Sequence, residues 1–440
     1  MRPGRLIVLV FLFIILLGAG LLCLPAASRS GEATPFLTSL FTATSATCVT
    51  GLIRVDTGTH WAMFGQVVIL LLIQVGGLGF MTIACLFFFA LRRKIGLRER
   101  MVLAQALGSD SYSGIVSLVR NILRGTAAVE GAGALILFFR FLPEFGFGKA
   151  LWYGVFHSIS AFCNAGFDVL ADTDVGGSLC RYATDPVVNF TIMALIIIGG
   201  LGFAVWGDIR HNRRFSRMSV YTRLVIIITT VLIFGGAGIF AALEWNNPGT
   251  LGGLTPPQKL AALFQSVTLR TAGFATFDQN ALSDVSKAVA DFLMLIGGSS
   301  GSTAGGVKTV TVGVILFAAW STARGRTSVQ IMKRRIPQQA VANASALFIL
   351  VLLLSGLGAA FLSIADHVSL ENALYETISA LCTVGLTTGI TSSLCVASQL
   401  VLILFMFFGR LGIMTISVGF MAADRAEERV SYAETKIMIG

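Results

Sequence analysis

The chain has 440 residues, of which 55% are hydrophobic and only 12% charged, with a mean hydropathy of +0.82. Soluble globular chains carry about 25% charged residues, so the composition excludes a soluble domain and indicates a polytopic membrane protein. The formal charge of +10 does not indicate nucleic-acid binding, because the basic residues gather in loops between apolar runs.

Those loops hold Arg92, Arg93, Lys94, Arg98 and Arg100; Arg210, Arg213, Arg214, Arg217 and Arg223; and Arg324, Arg326, Lys333, Arg334 and Arg335. The positive-inside rule puts all three in the cytoplasm, against anionic headgroups. The seven cysteines form no CxxC pair and the four histidines are scattered, so no metal site is visible. Cys180 and Cys395 fall in outer loops and are the one candidate pair.

The first apolar run, 6–27, mimics a signal peptide, but its length of about 20 residues exceeds the usual h-region and reads as a retained helix. It is followed by "FTATSATCVTGL" from Phe41 and then by a second apolar run containing "QVGGLGFMT". This order recurs three times. Long apolar runs at 115–141, 222–243 and 341–364 precede "FHSISAFCNAGF" from Phe156, "FQSVTLRTAGF" from Phe264 and "YETISALCTVGL" from Tyr375. The short segments end in Gly51, Gly166, Gly273 and Gly385, and the third is one residue shorter between its aromatic and its glycine. After them come "IGGLGFAV" around Gly200, "IGGSSGST" around Gly298 and "FGRLGIMT" around Arg410.

Self-similarity of this kind defines the architecture. Repeat 1 is predicted over 1–91, repeat 2 over 109–210, repeat 3 over 219–322 and repeat 4 over 338–422, with a cytoplasmic tail at 423–440. Each repeat reads as long helix, half-helix, glycine loop, long helix. The half-helices are too short to cross a bilayer and open on turn and cap signals, "TPF" at Thr34, "TPPQ" at Thr255 and "SLEN" at Ser369. The fold class is therefore an all-α polytopic membrane protein: eight full spans plus four re-entrant pore helices around a pseudo-fourfold pore, with both termini inside. The third inner helix alone is expected to be broken, by the run of small residues 297–306.

Irregular backbone survives at membrane depth only where protein or a water-filled cavity surrounds it. Four glycine loops meeting on one axis can offer carbonyls that replace a cation's hydration shell. The ion-binding candidates are Thr50, Gly51, Ala165, Gly166, Ala272, Gly273, Val384 and Gly385. The gate candidates are Gly297, Gly298, Ser299, Ser300, Gly301, Ser302, Thr303, Ala304, Gly305, Gly306, Lys308 and Arg410. Arg410 stands where two other repeats have Gly77 and Gly200, and is expected to hydrogen-bond carbonyls of the 297–306 loop as a fixed charge in a cation path. Arg270 is expected to buttress the third filter loop through backbone carbonyls or a carboxylate such as Glu376. Lys308 either stabilises the loop or snorkels. Glu130 and Glu244 read as packing or pore-loop support, His157 and the aromatics Phe80 and Phe203 as packing, and Asp168 and Asp278 either as acids of the outer mouth or as solvated loop residues.

The filter segments "CVTGL", "CNAGF", "RTAGF" and "CTVGL", the "GGLGF" repeats, "GGSSGSTAGGVKT" and "FGRLGIMT" together resemble the potassium transporter superfamily of Trk, Ktr and plant HKT proteins, over nearly the whole chain. The first helix starts almost at residue 1, as in the eight-span Ktr-type membrane subunit. The resemblance implies potassium as substrate and sodium as a potential activator, with no cofactor bound by this chain and no metal beyond the transported ion. It further implies a homodimer docked on a cytosolic nucleotide-binding regulatory ring (KtrA-like) at the plasma membrane. Glycine at all four filter positions, where the sodium-selective HKT branch has a serine at the first, favours potassium; a sodium-preferring or sodium-coupled transporter of the same fold is the alternative. A membrane-embedded enzyme would need convergent His, Asp, Glu, Cys or Ser/Lys groups, which the spans lack. An inverted-repeat transporter would need repeats of opposite direction, and these all run the same way.

Overall fold

A computed structural model of the chain describes residues 3–79, 115–170, 177–255, 258–326, 328–332 and 334–412. Phe80, the basic cluster at 92–100 and the tail 423–440 lie outside the described residues.

The recurring order of elements is present in the four sections of chain. The first holds α1 (Pro3–Leu22), α2 (Phe36–Cys48) and α3 (Met63–Leu78). The second holds α4 (Ile115–Phe162), α5 (Pro186–Leu201) and α6 (Phe203–His211). α4 is two helices in one: Pro143 and the left-handed Gly146 (φ 70°) turn a long arm into a short helix that ends at Phe162. The third section holds α7 (Val220–Glu244), α8 (Ala261–Thr268), α9 (Asp284–Leu295) and α10 (Thr309–Ala323). A hairpin, β1 (Gln330–Ile331) with β2 (Arg334–Arg335), leads to the fourth, α11 (Gln338–Asp366), α12 (Leu370–Leu381) and α13 (Val396–Leu411).

The helix ends follow side-chain chemistry. Ser219, Ser283 and Ser369 cap α7, α9 and α12 by accepting from the N–H three residues on, and Asp185 caps α5 in the same way. Glu244 accepts from the N–H and hydroxyl of Ser283 and from Asn247 and Thr250, so it ties the end of α7 to the start of α9. Outward faces are apolar, with Phe13, Phe139, Phe234 and Leu357 each about two-thirds exposed. In water such a surface would be a liability; against lipid tails it costs nothing. Inside, one apolar cluster joins α1–α3 to α4 and α5, and a second joins α7–α9 to α11–α13.

The "GG" motifs are close-approach sites. A Cβ on Gly76, Gly199 or Gly409 would fall onto the carbonyl oxygen of Thr47, the penultimate residue of α2, or of Phe162 or Leu381, the last residues of α4 and α12. Bare backbone lets each inner helix lie against a pore-helix end. Gly199→Val is therefore expected to cost about 1–3 kcal/mol through overpacking. A fall in the melting temperature of the detergent-purified protein would report it.

Two expectations need correction. The third inner helix is not the one exception: α3, α5 and α13 also stop at a left-handed glycine, Gly79 (φ 78°), Gly202 (φ 93°) and Gly412 (φ 81°). α5 and α6 meet at a bend of 91°. The cause is the last glycine of each "GGLG" or "GRLG", which adopts a conformation that other L residues resist. Among the described residues only α4, α7 and α11 are single helices long and apolar enough to cross a bilayer, with α5 plus α6 as a bent fourth. Cys180 and Cys395 form no disulfide: the Cys180 thiol donates to Ala275 O, and the Cys395 thiol faces Asp366 and Ser398.

Candidate ion pathway

The four short helices end in the same turn. Val49, Asn164, Thr271 and Thr383, each two residues before its glycine, are left-handed (φ 57°, 58°, 63° and 51°), and Gly51, Gly166, Gly273 and Gly385 follow at φ 97°, 70°, 78° and 93°. In three turns a Schellman bond closes the helix: Thr50 N–H to Ser45 O (2.8 Å), Ala165 to Ser160 (2.7 Å) and Val384 to Ser379 (2.8 Å). The third segment is one residue shorter, and Ala272 N–H closes instead on Thr268 O, four residues back, at 2.9 Å.

These turns touch in a closed circle. A Cβ on Gly51 would lie 2.5 Å from Ala165 O, on Gly166 2.8 Å from the Gly273 Cα, and on Gly273 2.7 Å from Val384 O. One on Gly385 would fall onto Thr50 O, which returns the circle to the first section. The eight filter candidates, Thr50, Gly51, Ala165, Gly166, Ala272, Gly273, Val384 and Gly385, thus form one ring of backbone, all of it buried.

Hydroxyls behind the ring hold it in two ways. Ser45 and Ser379 accept from the N–H of Gly51 and Gly385 at 3.0 Å, whereas Ser160 and Thr268 donate to Phe167 O (2.7 Å) and Phe274 O (2.6 Å). The ring is pseudo-fourfold in outline, but its hydrogen bonds divide it into two halves, the first and fourth turns against the second and third. The sequence reading missed these hydroxyls, although a Ser or Thr five or six residues before each glycine was the available signal.

On one side of the ring lies a cavity of about 210 Å³ lined by the four glycines and by Asp56, Asp168 and Asp278. Asp168 and Asp278, the two acids read either as outer-mouth or as solvated loop residues, line it; Asp56 was missed. Asp168 is buried and accepts from Leu170 N–H, while Asp278 is exposed and caps its own turn at Asn280.

On the other side, 297–306 folds as a closed loop between α9 and α10. Gly297 N–H donates to Val307 O (3.0 Å) and Val307 N–H to Leu295 O (3.2 Å), which pins the base. Ser299 and Thr303 donate through N–H to Gly200 O and Gly199 O, and the Thr303 hydroxyl to Phe162 O. Gly305 N–H donates to the Thr271 hydroxyl in the third turn (3.1 Å), and a Cβ on Gly305 would collide with the Thr383 hydroxyl of the fourth. The outer arc, Ser300 to Ser302, is held by Phe203 N–H on Gly301 O and by the Tyr221 hydroxyl on Ser300 O.

Two cations close the assembly. Lys308 donates to Ala304 O (2.8 Å) and Gly305 O (3.3 Å), so it stays with the loop and does not snorkel. Arg410 donates to Thr303 O and, on its other side, to Gly76 O and Gly77 O. One guanidinium thereby joins α13, the loop and the end of α3. Its planar fork, with several donors and no acceptor, suits the carbonyls left open where α3 stops.

The support residues are not where pairing logic put them. Glu376, fully buried on α12, accepts from the Thr387 and Thr391 hydroxyls and from Thr388 N–H, and so braces the chain just past Gly385. Arg270 does not reach it. The Arg270 backbone carbonyl accepts from Asn164, but its buried Nη1 has no hydrogen-bond partner. The threonines outcompete it because two hydroxyls and an N–H already satisfy the carboxylate within its own section. Elsewhere, Glu130 accepts from Gln74, and His157 is buried among Phe141 and Phe156 with Nδ1 on Tyr153 O.

A family model described as TrkH, cation transport protein, matches residues 14–429. The chain belongs to the TrkH cation transport family. It is 40% identical to the potassium/sodium uptake protein NtpJ of Enterococcus hirae, over 100% of this chain and 98% of that one. It is 39% identical to the Ktr system potassium uptake protein B of Bacillus subtilis, over 100% and 97%. In fold it is similar to the crystal structure of the potassium transporter TrkH from Vibrio parahaemolyticus, with a TM-score of 0.74 and 18% identity over 95% of this chain and 84% of that one. This TrkH-family chain is a multi-pass membrane transporter of cations and not an enzyme.

Proposed function

We propose that the chain is the translocating subunit of a potassium uptake system, passing bare monovalent cations through the four-glycine ring under the control of the 297–306 loop. The observation that carries this reading is the closed circle of left-handed glycines with the loop and Arg410 directly beneath it. Buried backbone carbonyls arranged around an axis can stand in for water on a dehydrated cation. Each section contributes one such glycine, so one dominant ion site and modest discrimination against sodium are expected. The acids Asp56, Asp168 and Asp278 then mark the outer mouth, and the loop faces the cytoplasm. In this reading each section crosses twice, giving eight spans with both termini inside, an orientation that the positive-inside distribution supports; a plasma-membrane location is part of the same proposal.

Glycine at all four positions favours potassium. The name of the Enterococcus hirae relative, a potassium/sodium uptake protein, favours sodium as the second reading. Rubidium-86 uptake in a transport-deficient host, with and without sodium, decides between them. Uptake that potassium does not compete for would overturn the potassium assignment. The regulatory arm of the proposal is a homodimer on a cytosolic nucleotide-binding ring, acting through α10 and the 324–335 hairpin on the loop. Deleting Ser299–Ala304 removes the N–H, hydroxyl and carbonyl of Thr303 that bond Gly199, Phe162 and Arg410. The deletant is expected to conduct without regulation while keeping its ion preference, as read by liposome flux; flux that still responds to the partner would return the loop to packing.

A further inference from the structure

The segment from Thr309 to Ala365 contains no Asp or Glu, yet it carries Arg324, Arg326, Lys333, Arg334 and Arg335. Between α10, the hairpin and the start of α11 lies an open cavity of about 480 Å³. Arg326 and Arg335 line it, with Thr322, Ser328 and Gln338. No acid stands in its wall, and among the described residues neither guanidinium has a hydrogen-bond or ion-pair partner. Two like charges lining one concavity focus a positive potential in it. The start of α11, which has no side-chain cap, adds to that potential. The cavity also has a definite depth. Leu316 and Trp320, one turn apart on α10, are more than half exposed, and the Arg324 guanidinium stacks on the Trp320 ring at 4.4 Å. Exposed tryptophan collects at the boundary between hydrocarbon and head groups, and arginine beside it reaches to the head groups. Thr322 lies about 3 Å further along the helix than Trp320, so the cavity opens at head-group level.

We infer that this cavity binds the phosphodiester head group of a net-anionic phospholipid such as phosphatidylglycerol, with Arg326 and Arg335 donating to the phosphate oxygens. Guanidinium forks match phosphate oxygens in geometry as well as in charge. The Ser328 hydroxyl accepts from Gln330 at 3.4 Å and keeps its own proton to donate, and the Gln338 amide adds further donors. The wall turns apolar at Ala318 and Val341, on α10 and α11, which suits the glycerol and the first carbons of the acyl chains. Charge selects among lipids. A choline or ethanolamine head group would bring a cation to a wall that has no carboxylate, whereas glycerol brings none. An acidic segment of a protein would answer the same charge, but it has no use for the exposed Leu316 and Trp320 beside the mouth. α10 runs from this cavity back to the 297–306 loop, so a bound head group holds the far end of the helix that follows the loop. The inference does not depend on which ion is carried.

The test uses the full chain carrying Thr322→Cys, in nanodiscs of phosphatidylcholine alone or with phosphatidylglycerol added. An uncharged maleimide alkylates the introduced thiol, and peptide mass spectrometry reads the rate. Phosphatidylglycerol is expected to slow alkylation. Gln330→Cys, exposed on the hairpin and outside the cavity, should react equally in both lipids and so reports any general effect of surface charge. Arg326→Gln or Arg335→Gln should raise the phosphatidylglycerol content needed for half protection about tenfold, the scale of one charge-assisted hydrogen bond. Both side chains are exposed, so neither change threatens the fold. Equal alkylation of Thr322→Cys in the two lipids overturns the site and leaves two solvated arginines. Protection by inorganic phosphate in phosphatidylcholine alone, with none from phosphatidylglycerol, overturns the lipid and assigns the cavity to a soluble phosphate ester. Protection by polyglutamate alone likewise overturns it in favour of an acidic protein segment.

Discussion

Gly385→Ala is expected to reduce rubidium uptake to below about a tenth of the parent rate, with protein still reaching the membrane. Two costs coincide at this position. Gly385 is left-handed (φ 93°), a conformation that costs an L residue about 1–2 kcal/mol. Its new Cβ would also fall onto Thr50 O in the neighbouring turn, a backbone atom that no rotamer change can move. The ring has no slack to absorb the displacement, because Gly385 N–H is held by Ser379 and the chain just beyond by Glu376. Thr50 O is itself a candidate ion ligand, so the clash displaces a carbonyl in the path as well as straining one turn. Gly51→Ser should act in the same direction through Ala165 O. Gly131→Ala is the control, since a Cβ there meets nothing within 4 Å and its helical backbone suits alanine. Uptake normalised to membrane protein separates these cases, and an active, potassium-selective Gly385→Ala would remove the ring from the pathway.

The ring was legible in the sequence because its signal is chemical and repeated. Four glycines at the ends of four polar short segments have no simpler use at membrane depth than a turn that other residues resist. The one-residue deletion in the third segment was also visible, but its consequence was not: Ala272 closes on Thr268 in a tighter turn, and the glycine still meets its neighbours. The breaks at Gly79, Gly202 and Gly412 were hidden for a different reason. "GGLG" embedded in an apolar run reads as helix-packing glycine, and its first glycine does pack; only the fourth residue breaks the helix. Arg270 was expected to bind backbone carbonyls or a carboxylate such as Glu376, and its buried Nη1 finds neither. Glu376 is satisfied by local threonines, and the Arg270 Nη1 is left without a partner. Hydropathy locates such a residue at depth without saying what surrounds it.

Arg410→Ala should raise the flux of monovalent cations about tenfold or more in reconstituted liposomes. Arg410 puts a unit positive charge beneath the ring, and a charge about 8 Å from a passing cation contributes about 2 kcal/mol at an effective dielectric of about 20. The same side chain is also a tether, holding Thr303 of the loop to Gly76 and Gly77 at the end of α3. Arg410→Lys separates the two roles. Lysine keeps the charge but is a point donor without the planar fork, so it cannot serve both sides at once. If repulsion sets the rate, Arg410→Lys stays slow and Arg410→Ala is fast. If the tether sets it, both are fast, and both lose their response to the cytosolic partner. Unchanged flux in Arg410→Ala would exclude both roles and leave Arg410 as a structural cap for the carbonyls where α3 ends. The electrostatic outcome carries one further requirement: the charge is half-buried and held among carbonyls, so the difference between alanine and arginine should fall less at high salt than a surface effect would.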